Sequence, residues 1–274
     1  MIYAQSSFVY FNYPLRYAIE SLGKAGYQAI EIWGGRPHYY HDDLDNELPA
    51  LLRLLDQYEM TVPNFIPAQF RYPSILCSLN EKVRQDSVKH IKKTIDTALK
   101  LKARSISLCP GMALYEDPVE KAWKALKTSL CEILDYTENS SLSILIEPAH
   151  RWESNLICTI NDCIRMINEI KSPRLGICFD TGHAHLNNEN FHEAIALAIQ
   201  YPLHIHIDDN TGETDSHLIP GKGTINFSLF RDALLSYHYN NYNNCLSVEL
   251  GFQYTLSPDE AVKESLMFLK NLFG

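Results

Sequence analysis

Four polar residues stand at the ends of short apolar runs in the second half of the chain: Glu147 after Ser-Ile-Leu-Ile, Asp180 after Gly-Ile-Cys-Phe, His206 within Leu-His-Ile-His-Ile, and Glu249 after Leu-Ser-Val. Taken singly, each has an ordinary explanation. A carboxylate at a strand end can cap the next helix, and a histidine can be a hydrogen-bonded core residue. Together they resist that account, because three carboxylates facing one crowded space repel and shift one another's pKa unless a cation neutralises them. One divalent metal ion resolves the conflict. Three carboxylates and one imidazole make a hard, oxygen-rich donor set that suits Mn²⁺ first, or Mg²⁺ or Co²⁺. A structural zinc site would favour thiolates and several imidazoles.

Residues so far apart in sequence can share an ion only if the runs preceding them end side by side. Short β-branched or apolar runs alternate with longer helical patterns along the whole chain, which is the signature of repeated βα units around a parallel sheet. Strands are expected near Ile2–Ser6, Ala29–Trp33, Thr61–Phe65, Ser105–Leu108, Leu142–Ile146, Leu175–Phe179, Leu203–Ile207 and Leu246–Val248. Residues 80–101 and 119–137 repeat apolar side chains every three or four positions and are expected as outer helices. Eight strands in roughly 250 residues is the usual size of a (β/α)₈ TIM barrel. A doubly wound sheet would carry fewer strands and often a GxGxxG turn, which this chain lacks. The 274 residues therefore read as one α/β barrel domain, 1–274, without an interdomain linker. In a barrel, catalytic groups collect at the C-terminal strand ends, so separation in sequence says nothing about distance in space. The Asn/Tyr-rich stretch at 238–244 reads as a polar loop before the last strand.

Further polar groups follow the same strand ends: Glu153 and Asn155 after the fifth, His183 after the sixth, Asp215 and His217 after the seventh. After the second strand comes Trp33-Gly34-Gly35-Arg36-Pro37-His38, where the glycines let backbone approach a ligand and Trp33 can either stack on a sugar ring or pack in the core. Pro220-Gly221-Lys222-Gly223 reads as a tight turn rather than a phosphate cradle. A net charge of −9, from 33 acidic and 24 basic residues, disfavours nucleic acid or an anionic membrane as the main partner and suits a small neutral ligand. Seven cysteines, an odd number without a CxxC pair, point to a reduced cytosol. No basic leader and no apolar run of ~20 residues is found, so a soluble, cytoplasmic protein is expected.

At these residues the chain resembles the sugar isomerase/epimerase superfamily of xylose-isomerase-like TIM barrels, and within it the ketose 3-epimerases and fructoselysine 3-epimerase. The resemblance is carried by AIEIWGGRPH at 29–38, SLNEKVRQDSV at 78–88, ILIEPAHRWESN at 144–155, CFDTGHAH at 178–185, HIHIDD at 204–209, HLIPGKG at 217–223 and VELG at 248–251. It implies that Glu147, Asp180, His206 and Glu249 bind the metal and that Glu147 and Glu249 also form the acid/base pair. The reaction it implies is inversion at C3 of a ketose, or of a ketose linked to an amine, through a metal-stabilised cis-enediolate. Glu153, His183, His217, Trp33 and Arg36 then fall at substrate-binding positions, in a homo-dimer or homo-tetramer. Three places depart from the pattern. Ile207-Asp208-Asp209 replaces a Thr-Gly-Glu stretch, His217 replaces an arginine, and Leu108-Cys109-Pro110-Gly111 lacks a histidine found in the fructoselysine type.

Two rival enzymes share the scaffold, an aldose–ketose isomerase and an inosose-type dehydratase, which differ only in where carbonyl and proton lie. A non-catalytic sugar-binding barrel is a third reading. The chain also resembles the endonuclease IV type of nuclease at Glu147, Asp180, His183, His206, Asp215, His217 and Glu249. That activity needs three zinc ions and further histidines where this chain has Asn-Phe-Ile-Pro-Ala-Gln and Ser-Leu-Cys-Pro-Gly.

Overall fold

The computed structural model of the chain describes residues 1–43, 46–69, 74–239 and 244–274. Eight strands, β1 (Ile2–Ser6), β2 (Ala29–Gly34), β3 (Asn64–Pro67), β4 (Ser105–Leu108), β5 (Ser143–Ile146), β6 (Leu175–Asp180), β7 (Leu203–Ile207) and β8 (Cys245–Val248), follow one another round a closed barrel. Each pairs in parallel with the next, and β8 returns to β1 with Gln5 opposite Val248. Helices α1 (Leu15–Ala25), α2 (Leu48–Gln57), α3 (Glu81–Lys100), α4 (Val119–Tyr136), α5 (Ile160–Ile170), α6 (Thr181–Leu186), α7 (Phe191–Ala198), α8 (Phe227–Ser236) and α9 (Pro258–Phe273) connect and surround the strands. This is the (β/α)₈ barrel expected.

Alternation along each strand sorts the side chains. Ile30, Ile32, Ile144, Ile146, Ile177, Phe179, Ile205, Ile207, Leu246 and Val248 point outward into one continuous core with the helices. The residues between them, including Glu31, Cys178, His206 and Ser247, face the barrel interior, where they meet one another. The helices start and stop where their sequences dictate. Asn80 caps α3 by accepting from the amides of Lys82 and Val83, Thr159 and Asp162 form a capping box on α5, and Gly26 ends α1 at φ 94°.

The third strand starts three residues later than expected, at Asn64 rather than Thr61. Thr61 makes only an isolated bridge to Ala29, and the ladder breaks at Pro63, which has no N–H to donate. Pairing resumes with Ile32 opposite Phe65 and Gly34 opposite Pro67. The expected loop at 238–244 falls in large part on 240–243, outside the described residues. Among the described residues no helix is long and apolar enough to cross a membrane, and all seven cysteines are free thiols.

Candidate active site

Inward parity at the upper ends of β5 to β8 brings Glu147, Asp180, His206 and Glu249 together. One ligand atom from each lies within 4.8 Å of the other three. His206 Nδ1 is the hub, at 2.8 Å from Glu147 Oε1, 3.0 Å from Glu249 Oε2 and 3.7 Å from Asp180 Oδ2. The sheet ladder runs one residue past the strands to hold two of them, since Glu147 N donates to Leu108 O and Glu249 N to Ile207 O. Asp180 does two things at once. Its Oδ1 caps α6 by accepting from His183 N at 2.7 Å, while its Oδ2 is buried with no hydrogen-bond partner.

A buried carboxylate oxygen without a donor is costly unless a cation meets it. The donor set and this orphaned oxygen both fit a divalent ion. The outer side of the imidazole fits as well, because His206 Nε2 lies 2.8 Å from Glu31 Oε1. That bond places the ring hydrogen on Nε2 and leaves Nδ1 as the ligand atom. Glu31 is completely buried and held in turn by Asn64 Nδ2 at 2.6 Å on Oε1 and Ser247 Oγ at 2.5 Å on Oε2. Asn64 is fixed by Ser105 and Ser107.

Without an ion, a proton carries the positive charge. Burial disfavours the His206 imidazolium, but the carboxylates of Glu31, Glu249 and Glu147 outweigh it and hold its pKa well above the usual histidine range. Burial works to raise Glu147, yet the His206 charge beside it pulls its pKa below the ordinary glutamate value. Glu31 is drawn well down against its own burial by His206 and His204.

Beside this cluster lies a second, centred on Asp215. Its Oδ2 is 3.0 Å from His217 Nε2, 3.3 Å from His150 Nε2 and 3.5 Å from His183 Nε2. Glu153 Oε2 is 3.8 Å from His150 Nε2, and His183 Nδ1 donates to Pro148 O at 3.0 Å, turning Nε2 toward Asp215. Burial resists charge on Asp215, but His217 and His183 overcome it and keep the carboxylate ionised. Burial pushes the Glu153 pKa up. Behind them Asp208 accepts the Gly182 N–H at 2.8 Å, and a Cβ at 182 would fall 2.4 Å from Asp208 Oδ2, so only glycine allows this approach.

The structure therefore brings Glu147, Asp180, His206 and Glu249 into one cluster and Glu153, His183 and His217 into its neighbour. Trp33 is half-buried, edge-on to Phe8 at 5.2 Å between ring centroids. Arg36 is exposed and committed elsewhere. It forms a two-pronged ion pair with Asp43 at 2.6 and 2.7 Å and lies over the Tyr40 ring. The Pro-Gly-Lys-Gly turn does cradle an anion, but one of the protein's own: Gly221 N and Gly223 N donate to Asp209 Oδ2 at 2.9 and 2.8 Å. Glu31 and His150 were not singled out from the sequence, and Asp208 entered only as part of a departure from the family pattern. For Glu31 the signal was present, a charged residue at an inward position between two outward isoleucines.

A closed barrel with three carboxylates and an imidazole converging at the C-terminal ends of β5 to β8 defines a TIM-barrel protein with a metal-competent acidic site. The chain belongs to the Xylose isomerase-like TIM barrel family, which it matches over residues 19–272. It is 30% identical over 255 residues to fructoselysine 3-epimerase of Shigella flexneri, covering 92% of this chain and 91% of that one. Its fold superposes on a crystal structure of a D-tagatose 3-epimerase-like protein with a TM-score of 0.81 over 100% of both chains at 25% identity. It also superposes on the IOLI protein, crystallised with a binding zinc atom, with a TM-score of 0.82 over 100% of this chain and 98% of that one at 20% identity.

Proposed function

We propose that this protein is a divalent-metal-dependent sugar epimerase that inverts C3 of a ketose, with Glu147 and Glu249 as its acid/base pair. The observation that carries the proposal is the convergence of these two carboxylates, from β5 and β8, on one histidine nitrogen at 2.8 and 3.0 Å. A proton next to a carbonyl is weakly acidic, and two carboxylates presented to opposite faces of that carbon let one remove the proton while the other returns it from the far side. Beside a divalent ion Glu147 would be held as the carboxylate at neutral pH, the form that can accept a proton. Glu147, Asp180, His206 and Glu249 would hold the ion, Mn²⁺ in preference to Mg²⁺ or Co²⁺. Such an ion supplies the positive charge that stabilises an enediolate. Glu153, His183 and His217 offer hydrogen-bonding groups at the edge of the same space, and half-buried Trp33 offers an apolar face.

Kinship with fructoselysine 3-epimerase supports this reading over a sugar-binding barrel without turnover, as does the presence of both carboxylates. It sits less well with a three-zinc nuclease, because the described residues beyond β3 and β4 are Gln69 and Cys109 rather than histidines. The test is incubation with Mn²⁺, a panel of ketoses and D₂O, followed by NMR after the metal is removed. Deuterium at C3 with inversion supports epimerisation. Deuterium at C1 or C2 identifies an aldose–ketose isomerase, and loss of water a dehydratase.

A further inference from the structure

His150 has no part in the chemistry proposed above, yet it stands at the join between two loops that the site needs. It is buried, with its ring edge-on to Trp152 and to His183 at 5.5 and 5.2 Å between centroids. Its Nδ1 accepts the Trp152 N–H at 3.3 Å, and this fixes the tautomer, since a ring nitrogen that accepts carries no hydrogen. The hydrogen is then on Nε2. That nitrogen lies 3.3 Å from Asp215 Oδ2, in the loop after β7, and 3.8 Å from Glu153 Oε2, in the loop after β5. One oxygen of each carboxylate falls within 4.8 Å of the other, a separation at which two ionised groups repel unless a donor serves both.

The backbone here is secured without the imidazole. Glu153 N and Ser154 N donate to His150 O at 2.9 and 3.0 Å and close the turn. Beyond it Ser154 Oγ donates to Gly111 O at 2.7 Å, and the Asn155 amide pairs with Ala113 in both directions, Oδ1 accepting its N–H at 2.9 Å and Nδ2 donating to its C=O at 3.1 Å. Asn155 thus serves the loop after β4. What the main chain leaves open is the place of the Glu153 carboxylate. We propose that His150 is a positioning residue of the substrate site, whose Nε2–H spans the carboxylates of Asp215 and Glu153 and keeps Glu153 in place beside the sugar. The proposal rests on the epimerase reading and adds to it a residue outside the four ligands.

Two substitutions separate the two ring nitrogens. Asparagine brings its amide oxygen where Nδ1 stands, so His150→Asn keeps an acceptor for the Trp152 N–H and loses the far donor. Glutamine reaches as far as Nε2, so His150→Gln keeps the far donor and loses the near acceptor. With Mn²⁺ loaded and a ketose that exchanges its C3 proton, His150→Asn should lose about tenfold in kcat/KM, mainly through KM, with Mn²⁺ affinity within about threefold of the wild type. His150→Gln should recover most of that loss. Beside Glu153→Ala, the His150→Asn change should cost less than about threefold, because the group it places is gone. The proposal is wrong if Gln is impaired as much as Asn, if Asn retains wild-type kcat/KM, or if its loss persists in full beside Glu153→Ala. A protein that exchanges no ketose sinks the epimerase reading alone, and the ¹³C carboxyl signal of Glu153 then decides the placement. It should shift in His150→Asn and hold in His150→Gln, and any other pattern overturns the role given to His150.

Discussion

Glu31 is not a ligand in the proposed site, yet the metal should depend on it. Its Oε1 accepts the His206 Nε2–H at 2.8 Å in a completely buried setting, so it fixes both the tautomer and the ring orientation that aim Nδ1 at the carboxylates. In Glu31→Gln the amide oxygen can stay on the His206 side, where Asn64 also donates, while the new NH₂ faces the Ser247 hydroxyl, which can accept. Gln therefore removes the charge and keeps the geometry. Ala removes both and leaves Asn64 and Ser247 without their shared acceptor. Partners of metal-bound histidines are worth about 10- to 100-fold in affinity, so Mn²⁺ should bind Glu31→Gln about 10-fold and Glu31→Ala about 100-fold more weakly, or roughly 1.4 and 2.7 kcal/mol. Isothermal titration calorimetry of the metal-free proteins reads this directly.

Proton competition sets the pH dependence of that loss. Glu31 favours a proton on His206 as well as an ion, so its removal also eases the proton off. The deficit should widen as pH rises and that competition fades, because only the direct effect on the ion then remains. If Glu31→Ala folds and binds Mn²⁺ within threefold of the wild type at both pH 6.5 and pH 8.5, Glu31 does not position His206 and the argument fails.

Metal analysis of the purified protein should find about one divalent ion per chain, and two or three zinc ions would revive the nuclease reading. Glu147→Gln and Glu249→Gln, each in excess Mn²⁺, should abolish inversion while one epimer of the substrate still exchanges its α-proton with solvent; near wild-type inversion in both would remove these residues as the catalytic pair. Glu153→Ala and His183→Ala should raise KM or lower kcat with metal content unchanged, and loss of metal in both would move them into the ligand set. Outside the two clusters, burial lifts the Glu189 carboxyl from 4.5 to about 7, so the folded state binds its proton more tightly than the unfolded one. The stability it adds is full below about pH 4.5 and lost as pH rises through about 7. Glu189→Gln, which keeps an oxygen for the Ile160 N–H, should match the wild type in urea unfolding near pH 4.5 and exceed it by up to about 3 kcal/mol at pH 8.

The barrel and its metal-competent cluster were legible because both depend on local pattern. Outward apolar residues alternating with inward polar ones mark each strand, and Glu147, Asp180, His206 and Glu249 fall at the strand ends that a barrel must gather. Where pattern was ambiguous, pairing decided. Thr-Val-Pro-Asn-Phe-Ile-Pro shows no clean alternation, and only the partner strands, with the missing N–H of Pro63, place β3 at Asn64–Pro67. Partnership was likewise hidden. Nothing local distinguishes Arg36, spent on Asp43 at the surface, from an arginine that reaches a ligand, and nothing near Asp209 announces that the Pro-Gly-Lys-Gly amides will close on it. Glu31 and His206 are 175 residues apart, and their hydrogen bond exists only because closing the barrel puts β2 and β7 across one interior. Residue type and parity are properties of the chain itself, whereas who meets whom across a closed barrel is a property of the whole sheet.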